Sequence, residues 1–255
     1  MALTTSISDY WIRARTKTGS LWMFSFAFQP IVDARTRSVV SYEALVRGPR
    51  REKPAHLFSK VPKRDLIRFH HLCHVRAIQV ASKLNLRTDL NLNLFTDGPE
   101  ATRVSIRLAL QEAVRHDLPA RNLVFEVSES DRELDYGRIT ALFSSNARYG
   151  YQTAIDDFGT GYSGLKLLVE FQPSYIKLDR RLIAHVHEDR VRQTVVRGLL
   201  QICRNLGVQV VAEGVEVAEE FGWLHSEGVD MFQGYYFARP AFEELPQVPA
   251  HLFSV

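Results

Sequence analysis

Seven short apolar runs in this sequence end in a polar residue that could bind a metal or move a proton. The run Val39–Tyr42 is followed by Glu43, and the run Thr153–Ile155 is followed by Asp156 and Asp157. The other five runs are followed, in chain order, by Asn91, Glu126, Lys177, Glu213 and Gln233. Successive members lie roughly 20 to 50 residues apart, about the length of one strand–helix unit. A barrel of parallel strands would gather all of them at one mouth, where barrels carry active sites.

Four carboxylates and one asparagine at that mouth predict a divalent-cation site. The carboxylates are Glu43, Glu126, Asp156 and Asp157, and Asn91 would join them. Like charges this close need compensation, and oxygen ligands favour Mg²⁺ or Mn²⁺. The adjacent Asp156 and Asp157 could serve two ions, one carboxylate bridging both while its neighbour binds the second, as in two-metal phosphoester hydrolases. The alternative, in which each polar residue only opens a solvated loop, becomes harder to sustain with each repetition.

A glycine-rich segment, Asp157-Phe-Gly-Thr-Gly-Tyr-Ser163, follows the paired aspartates. Alone, it would fit an ordinary turn equally well, because glycine tolerates backbone shapes that other residues resist. Directly after two candidate ligands, it predicts a mobile active-site loop. Glu129 stands three residues after Glu126 and is expected to reach a neighbouring loop instead of the metal.

The elements that must position these residues are about eight short apolar runs alternating with amphipathic stretches. Helical spacing of apolar residues is found in Arg64–Leu84, Val104–Arg115 and Val191–Leu206. This alternation favours an α/β fold, a modified TIM (β/α)₈ barrel with parallel strands. The link Asp33–Ser38 is too short for a helix, so the first two strands should form an antiparallel hairpin. We expect residues 1–20 to be a lead-in segment and residues 21–255 to be a single domain.

Composition excludes several classes of protein. The net charge of +3 is too small to suggest a duplex nucleic-acid binder. No stretch approaches the ~20 apolar residues of a membrane span, and the N-terminus does not resemble a signal peptide. Cys73 and Cys203 lie in apolar helical contexts, as expected for buried thiols in a reducing compartment. A cytoplasmic location is therefore expected.

Taken together, these motifs resemble the EAL-domain cyclic di-GMP phosphodiesterases over about residues 20 to 245. The motif that names the family stands as Glu43-Ala44-Leu45, within Tyr42–Arg47. The other matching segments are Phe28–Ile31, Asn91–Asn93, Glu126–Glu129, Asp156–Tyr162, Ile176–Asp179, Glu213–Glu216 and Gln233–Phe237. Asn93 and Gly164 depart from the family, which more often has serine at both positions.

The resemblance implies hydrolysis of cyclic di-GMP to linear pGpG with two Mg²⁺ or Mn²⁺ ions, and inhibition by Ca²⁺. It gives the first metal to Glu43, Asn91, Glu126 and Asp156, and the second to Asp156 and Asp157. Lys177 and Glu213 would orient or deprotonate the attacking water, Gln233 would position a water at the metals, and Glu129 would steady the glycine-rich loop. Arg47 would clamp a phosphate, and the remaining substrate contacts would be Gln29, Leu45, Asp179 and Pro240. A silent cyclic di-GMP receptor and a protein-binding scaffold are the alternatives.

Two further expectations concern assembly and histidine. The resemblance suggests a homodimer, and the apolar stripe Leu165–Val169 could contribute to it unless all its side chains pack inside the monomer. Regulation would come from an unidentified protein partner or from expression. His70, His71 and His74 share a helix, but we expect them to lie far from the barrel mouth.

Overall fold

The computed structural model describes residues 14–15, 21–94, 98–129, 148–161 and 164–253. Its main sheet has eight strands that close into a barrel, and a ninth strand is added at one edge. The barrel strands are β1 (Ser25–Asp33), β2 (Ser38–Arg47), β3 (Asp89–Asn93), β4 (Leu123–Ser128), β5 (Gln152–Phe158), β6 (Tyr175–Leu178), β7 (Gln209–Glu213) and β8 (Met231–Gln233). The added strand, β9 (Ala241–Phe242), pairs with β1.

The predicted modified barrel with an antiparallel first strand is confirmed. Strand β1 runs antiparallel to both of its barrel neighbours, β2 and β8, and the remaining adjacent strands pair in parallel. The hairpin turns at Asp33, whose carboxylate accepts hydrogen bonds from the amides of Arg35 (2.7 Å) and Thr36 (3.2 Å). Closure occurs where Met231 of β8 lies opposite Asp33 of β1.

The helices are α1 (Pro54–Phe58), α2 (Leu66–Lys83), α3 (Pro99–Arg115), α4 (Gly164–Glu170), α5 (Arg180–Ile183), α6 (Arg190–Leu206) and α7 (Ala218–Ser226). The three helices predicted from apolar spacing are α2, α3 and α6. Helix α6 begins after Asp189, whose carboxylate accepts hydrogen bonds from the amides of Val191 and Arg192. It ends at Gly207, which has the left-handed conformation (φ 69°) typical of a helix C-terminus. Helix α3 starts five residues earlier than predicted, because Pro99 fits the first turn of a helix.

Most of the polar residues that were expected to end the strands lie within them instead, whereas Glu213 and Gln233 do end β7 and β8. Glu43 is in the middle of β2, which continues to Arg47, and Glu126 is followed by two further residues of β4. The expectation was wrong because backbone pairing continues towards the mouth while alternate side chains point into the barrel. These carboxylates are consequently held by paired strands and not by loops.

A small antiparallel ribbon precedes the barrel, formed by Ala14–Arg15 and Leu21–Trp22. The other residues of the expected lead-in segment lie outside the described residues, so the boundary between residues 1–20 and 21–255 stays a prediction. Cys73 and Cys203 are free and buried, as expected. In the described part of the chain, no helix is both long and apolar enough to span a membrane.

Candidate active site

Strand β2 presents Glu43, Leu45 and Arg47 on one face, because alternate residues of a strand point the same way. Glu43 lies opposite Gln29 of β1 and Asn91 of β3. Its carboxylate accepts hydrogen bonds from Asn93 Nδ2 (2.9 Å) and from Gln233 Nε2 (2.8 Å). Three strands besides β2 thus contribute to the surroundings of this one carboxylate.

Four carboxylates surround the side chain of Lys177 at the centre of the site. Lys177 is 1% exposed, and its Nζ lies 2.6 Å from Glu213, 3.0 Å from Glu126, 3.1 Å from Asp156 and 3.5 Å from Glu43. One ammonium cannot balance four ionised carboxylates, so the site needs further positive charge or protons.

Asp156 and Asp157 both face the site although they are neighbours on strand β5. A regular strand would send adjacent side chains to opposite faces. Here the pairing with β6 shifts register between Ile155 and Phe158, and Asp157 has a left-handed backbone (φ 54°). This strained conformation turns the Asp157 carboxylate towards the mouth, where Ser128 Oγ donates a hydrogen bond to it (2.8 Å).

The charges inside the site perturb its acids in opposite directions. Burial, together with repulsion from Glu43 and Asp156, raises the pKa of Glu126 to about 8 despite the attraction of Lys177. Burial and the Asp156 charge also raise the pKa of Glu213 well above its usual value. Burial acts to raise the pKa of Asp156 as well, but the Lys177 ammonium and hydrogen bonds lower it overall. Without a metal, this site therefore holds protons on part of its carboxylates near neutral pH.

The donor set fits divalent cations. Oxygen atoms of Glu43, Glu126 and Asp156 lie within 4.8 Å of one another, as do those of Asp156, Asp157 and Glu213. Asp156 belongs to both groups, as a carboxylate bridging two ions would. Two buried oxygens, Glu126 Oε2 and Gln233 Oε1, have no hydrogen-bond partner among the described residues. Oxygen-only donors with unsatisfied lone pairs suit Mg²⁺ or Mn²⁺.

Asn91 lies between two polar neighbours. Its Nδ2 donates to Glu126 Oε1 (2.6 Å), and its Oδ1 accepts a hydrogen bond from Ser41 Oγ. The amide is thus placed beside Glu126, and the role of Asn91 as a metal ligand stays a prediction.

Glu129 contacts the glycine-rich segment and the first residue after it. Its carboxylate accepts hydrogen bonds from the amides of Gly159 and Gly164, both at 2.6 Å, and its own amide donates to Asp156 O (2.9 Å). A side chain at Gly164 would crowd this carboxylate and the ring of Phe158. Tyr162 and Ser163 lie outside the described residues.

Three of the five predicted substrate contacts line a cleft or cavity that reaches Glu43. Gln29 and Asp179 line a cleft of about 290 Å³ that also exposes Glu43, Glu213 and Gln233. Leu45 lines a neighbouring apolar cavity of about 220 Å³, which reaches Glu43 and Asn93. Burial lowers the pKa of Arg47, partly opposed by the negative charge of Glu43. Pro240 precedes strand β9 and is not among the residues that line either space.

Sequence reasoning missed two groups beside the site. Both Arg180 and Glu216 line the cleft. Arg180 belongs to no pattern that the sequence makes visible, and Glu216 ends a matching segment but was given no role. His74 was expected far from the mouth, and this was wrong: its Nε2 lies 2.8 Å from Asn93 O. Burial lowers the pKa of His74 to about 4, so the ring is neutral and supports strand β3. His74 lies 19 residues before Asn93 in the sequence, so no local pattern indicates this contact.

Comparison with curated proteins gives relatives with different roles. Over 232 residues the chain is 31% identical to the blue light- and temperature-regulated antirepressor BluF of Escherichia coli, covering 88% of this chain and 56% of that protein. It is 30% identical to the probable cyclic di-GMP phosphodiesterase PdeN of the same organism, covering 85% of this chain and 43% of that protein. The chain spans about half the length of these curated relatives.

Solved structures agree over most of the chain. A standalone EAL protein from Vibrio cholerae, solved bound to c-di-GMP, is 42% identical with a TM-score of 0.86, covering 92% of this chain and all of that one. Klebsiella pneumoniae BlrP1, solved with calcium and cyclic di-GMP, is 33% identical with a TM-score of 0.83, covering 88% of this chain and 57% of that one. The EAL domain family profile matches residues 17–240. This chain belongs to the EAL domain family.

Proposed function

We propose that this chain is a metal-dependent phosphodiesterase that hydrolyses cyclic di-GMP to linear pGpG. The observation that carries the proposal is the pair of carboxylate groups that share Asp156. Two ligand sets joined by one bridging carboxylate suit two-metal attack on a phosphodiester. The similarity to PdeN and to the c-di-GMP-bound Vibrio structure supports the choice of substrate.

The residues would divide the chemistry as follows. Bound at Glu43, Asn91, Glu126, Asp156 and Asp157, two Mg²⁺ or Mn²⁺ ions would polarise the phosphodiester and acidify a water. Glu213 would take the proton of the attacking water, because its carboxylate lies beside those of Asp156 and Asp157. Lys177, 2.6 Å from Glu213, would hold that carboxylate in place. The water oxygen would then bond to phosphorus and one P–O3′ bond would break. The 3′-oxygen would take a proton from solvent, and Glu213 would return its own proton to solvent.

The other predicted residues would bind and orient. Arg47 would clamp a phosphate at the mouth, and Gln233 would position the water while its amide holds Glu43. Ca²⁺ would bind the same oxygens but support little turnover, because it accepts looser geometry than Mg²⁺. The calcium and cyclic di-GMP complex of BlrP1 is consistent with such binding.

The test is to incubate purified protein with cyclic di-GMP and Mg²⁺ or Mn²⁺ and to separate the products by chromatography. We expect pGpG with either ion and none in excess EDTA. Undiminished hydrolysis in EDTA would contradict the metal requirement. Tight binding of cyclic di-GMP without product would favour a silent receptor. A chain that neither binds nor hydrolyses it would favour a protein-binding role, such as the name of BluF suggests.

We also propose a homodimer that uses helices α4 and α6. Leu165 and Val169 of α4 are 56% and 78% exposed, so only Leu167 and Leu168 of that stripe are buried in the monomer. One face of α6 is exposed and carries no charge; its residues are Val191, Thr194, Val195, Gly198, Gln201, Ile202, Asn205 and Leu206. Their helical spacing makes a continuous uncharged stripe, which suits symmetric helix pairing.

Light scattering should give about twice the 29.2 kDa mass of the chain. Val195→Glu, in the middle of the α6 face, should shift the protein towards monomer. Val114→Glu serves as the matched control, because Val114 is an exposed valine on α3. A wild-type mass of 29.2 kDa at micromolar concentrations would rule out the dimer.

A further inference from the structure

We propose that Arg180 is a positioning residue, which works with buried Glu220 to hold the turn after β7 and thereby the carboxylate of Glu213. This rests on the proposed function, because Glu213 is there the general base. Arg180 follows strand β6, whereas Glu213 ends strand β7. Its side chain therefore links two neighbouring loops at the mouth.

The Arg180 guanidinium makes three contacts across this gap. Its Nη1 donates to Gly214 O (2.6 Å) and lies 3.4 Å from Glu220 Oε2, and its Nη2 lies 2.9 Å from Glu216 Oε2. Charge-assisted contacts of this kind fix direction as well as distance, because the guanidinium is planar. The backbone oxygen it binds belongs to the residue directly after Glu213.

Glu220 contacts the same turn, and together with Arg180 it forms what we call the clamp. It is 1% exposed, and its carboxylate accepts hydrogen bonds from the amides of Glu216 (2.9 Å) and His185 (3.0 Å). Burial acts to raise its pKa, but the hydrogen bonds from these backbone amides and the charge of Arg180 lower it overall. Glu220 is therefore an ionised, buried acceptor, and the guanidinium supplies the opposing charge.

The clamped turn has little freedom of its own. Gly214 has a positive φ of 71°, and a side chain there would meet Arg180 Cβ at 2.8 Å. Val215 N donates to Gln233 O (3.1 Å), and Tyr236 N donates to Val215 O (3.0 Å). The turn thus connects Glu213 to the end of strand β8, which carries Gln233, and Arg180 binds the turn at Gly214 O.

A direct role in binding substrate is less consistent with these contacts. Although Arg180 lines the cleft, its charge is already opposed by Glu216 and Glu220. Its side chain is only 33% exposed, and both terminal nitrogens face protein acceptors. Loss of Arg180 should therefore misplace the Glu213 carboxylate, and it should have a smaller effect on substrate binding.

The experiment compares Arg180→Ala, Arg180→Lys and the control Arg181→Ala. Arg181 is adjacent and 76% exposed, with one 4.0 Å contact to Asp179. Arg180→Ala should lower kcat by about 10- to 100-fold, since a small misplacement of a reacting group has effects of this size. Its KM should stay within about threefold, because binding is not the step affected. Arg180→Lys should recover part of kcat, and Arg181→Ala should match wild type.

Hydrogen–deuterium exchange gives a readout that needs no substrate. In Arg180→Ala, the amides of Val215, Glu216 and Tyr236 should exchange at least about tenfold faster, because their acceptors lose support. Arg181→Ala should leave them unchanged. Equal exchange in both variants would overturn the clamp even if the wild type hydrolyses nothing. A raised KM with unchanged kcat would overturn the positioning role and assign Arg180 to substrate binding.

Discussion

Replacing Glu129 with alanine should weaken metal activation without removing a metal ligand. Glu129 is 5% exposed and its carboxylate accepts two backbone hydrogen bonds at 2.6 Å, from Gly159 and Gly164. Hydrogen bonds to a charged acceptor contribute about 1.5–3 kcal/mol each, so Glu129→Ala removes about 3–6 kcal/mol from the ordered segment. Even the lower figure reduces the ordered-to-disordered ratio about 150-fold.

The segment begins at Asp157, so its disorder should lower occupancy of the second metal. The assay is a Mn²⁺ titration of hydrolysis at saturating cyclic di-GMP. We expect the half-saturating Mn²⁺ concentration to rise by between about 10-fold and 150-fold in Glu129→Ala. Glu129→Gln keeps one acceptor oxygen and should lie between the two.

The control is Glu188→Ala. The Glu188 side chain is 75% exposed, and its carboxylate lies 3.5 Å from His187 Nε2. It should titrate like wild type. An Mn²⁺ titration of Glu129→Ala that overlays wild type would refute the reasoning and leave Glu129 with no role in organising the metal site.

Other predictions concern the ligands and their protons. Glu43→Gln should lower turnover at least about 100-fold, since even the loss of a residue that hydrogen-bonds a metal ligand lowers activity 10- to 100-fold. The melting temperature of the variant should stay within about 4 °C of wild type. Near-normal turnover would contradict the assignment. Metal binding must displace protons, because the pKa of Glu126 is raised to about 8 by burial and repulsion, and that of Glu213 is also raised. Mn²⁺ affinity measured by calorimetry should therefore rise about tenfold per pH unit per proton between pH 6 and 8, with proton release visible as a buffer-dependent heat; pH-independent binding would count against it. Asn93→Ser shortens the donor to Glu43 Oε1 and should reduce Mn²⁺ affinity by about 10- to 100-fold in the same assay, whereas an unchanged affinity would mean that this hydrogen bond does not orient the ligand.

Local signals explain why much of the fold could be predicted. The apolar spacing of α6, its Asp189 start and its Gly207 end are all contained in one short stretch of sequence. The short Asp33–Ser38 link decided the antiparallel hairpin, because a parallel connection needs more residues. The recurrence of one polar residue per strand then indicated which side chains would meet.

The unpredicted features depend on contacts between distant segments. Where β2 ends is decided by its pairing with β1, and the sequence around Glu43 does not show that the strand continues to Arg47. The left-handed backbone of Asp157 follows from a register shift against β6. Arg180 meets Glu220 from 40 residues away, and neither shows a periodic pattern. Such contacts become visible only once the barrel is closed.

The most direct test of two-metal hydrolysis is to run the reaction in ¹⁸O-labelled water with Mn²⁺ and to measure the mass of the product by mass spectrometry. Attack by a water held between Glu213 and the metal ligands predicts pGpG carrying one ¹⁸O atom, on its 5′-phosphate, and no product when Asp156 is replaced by asparagine. Unlabelled product, or labelled product from Asp156→Asn at the wild-type rate, would contradict the account.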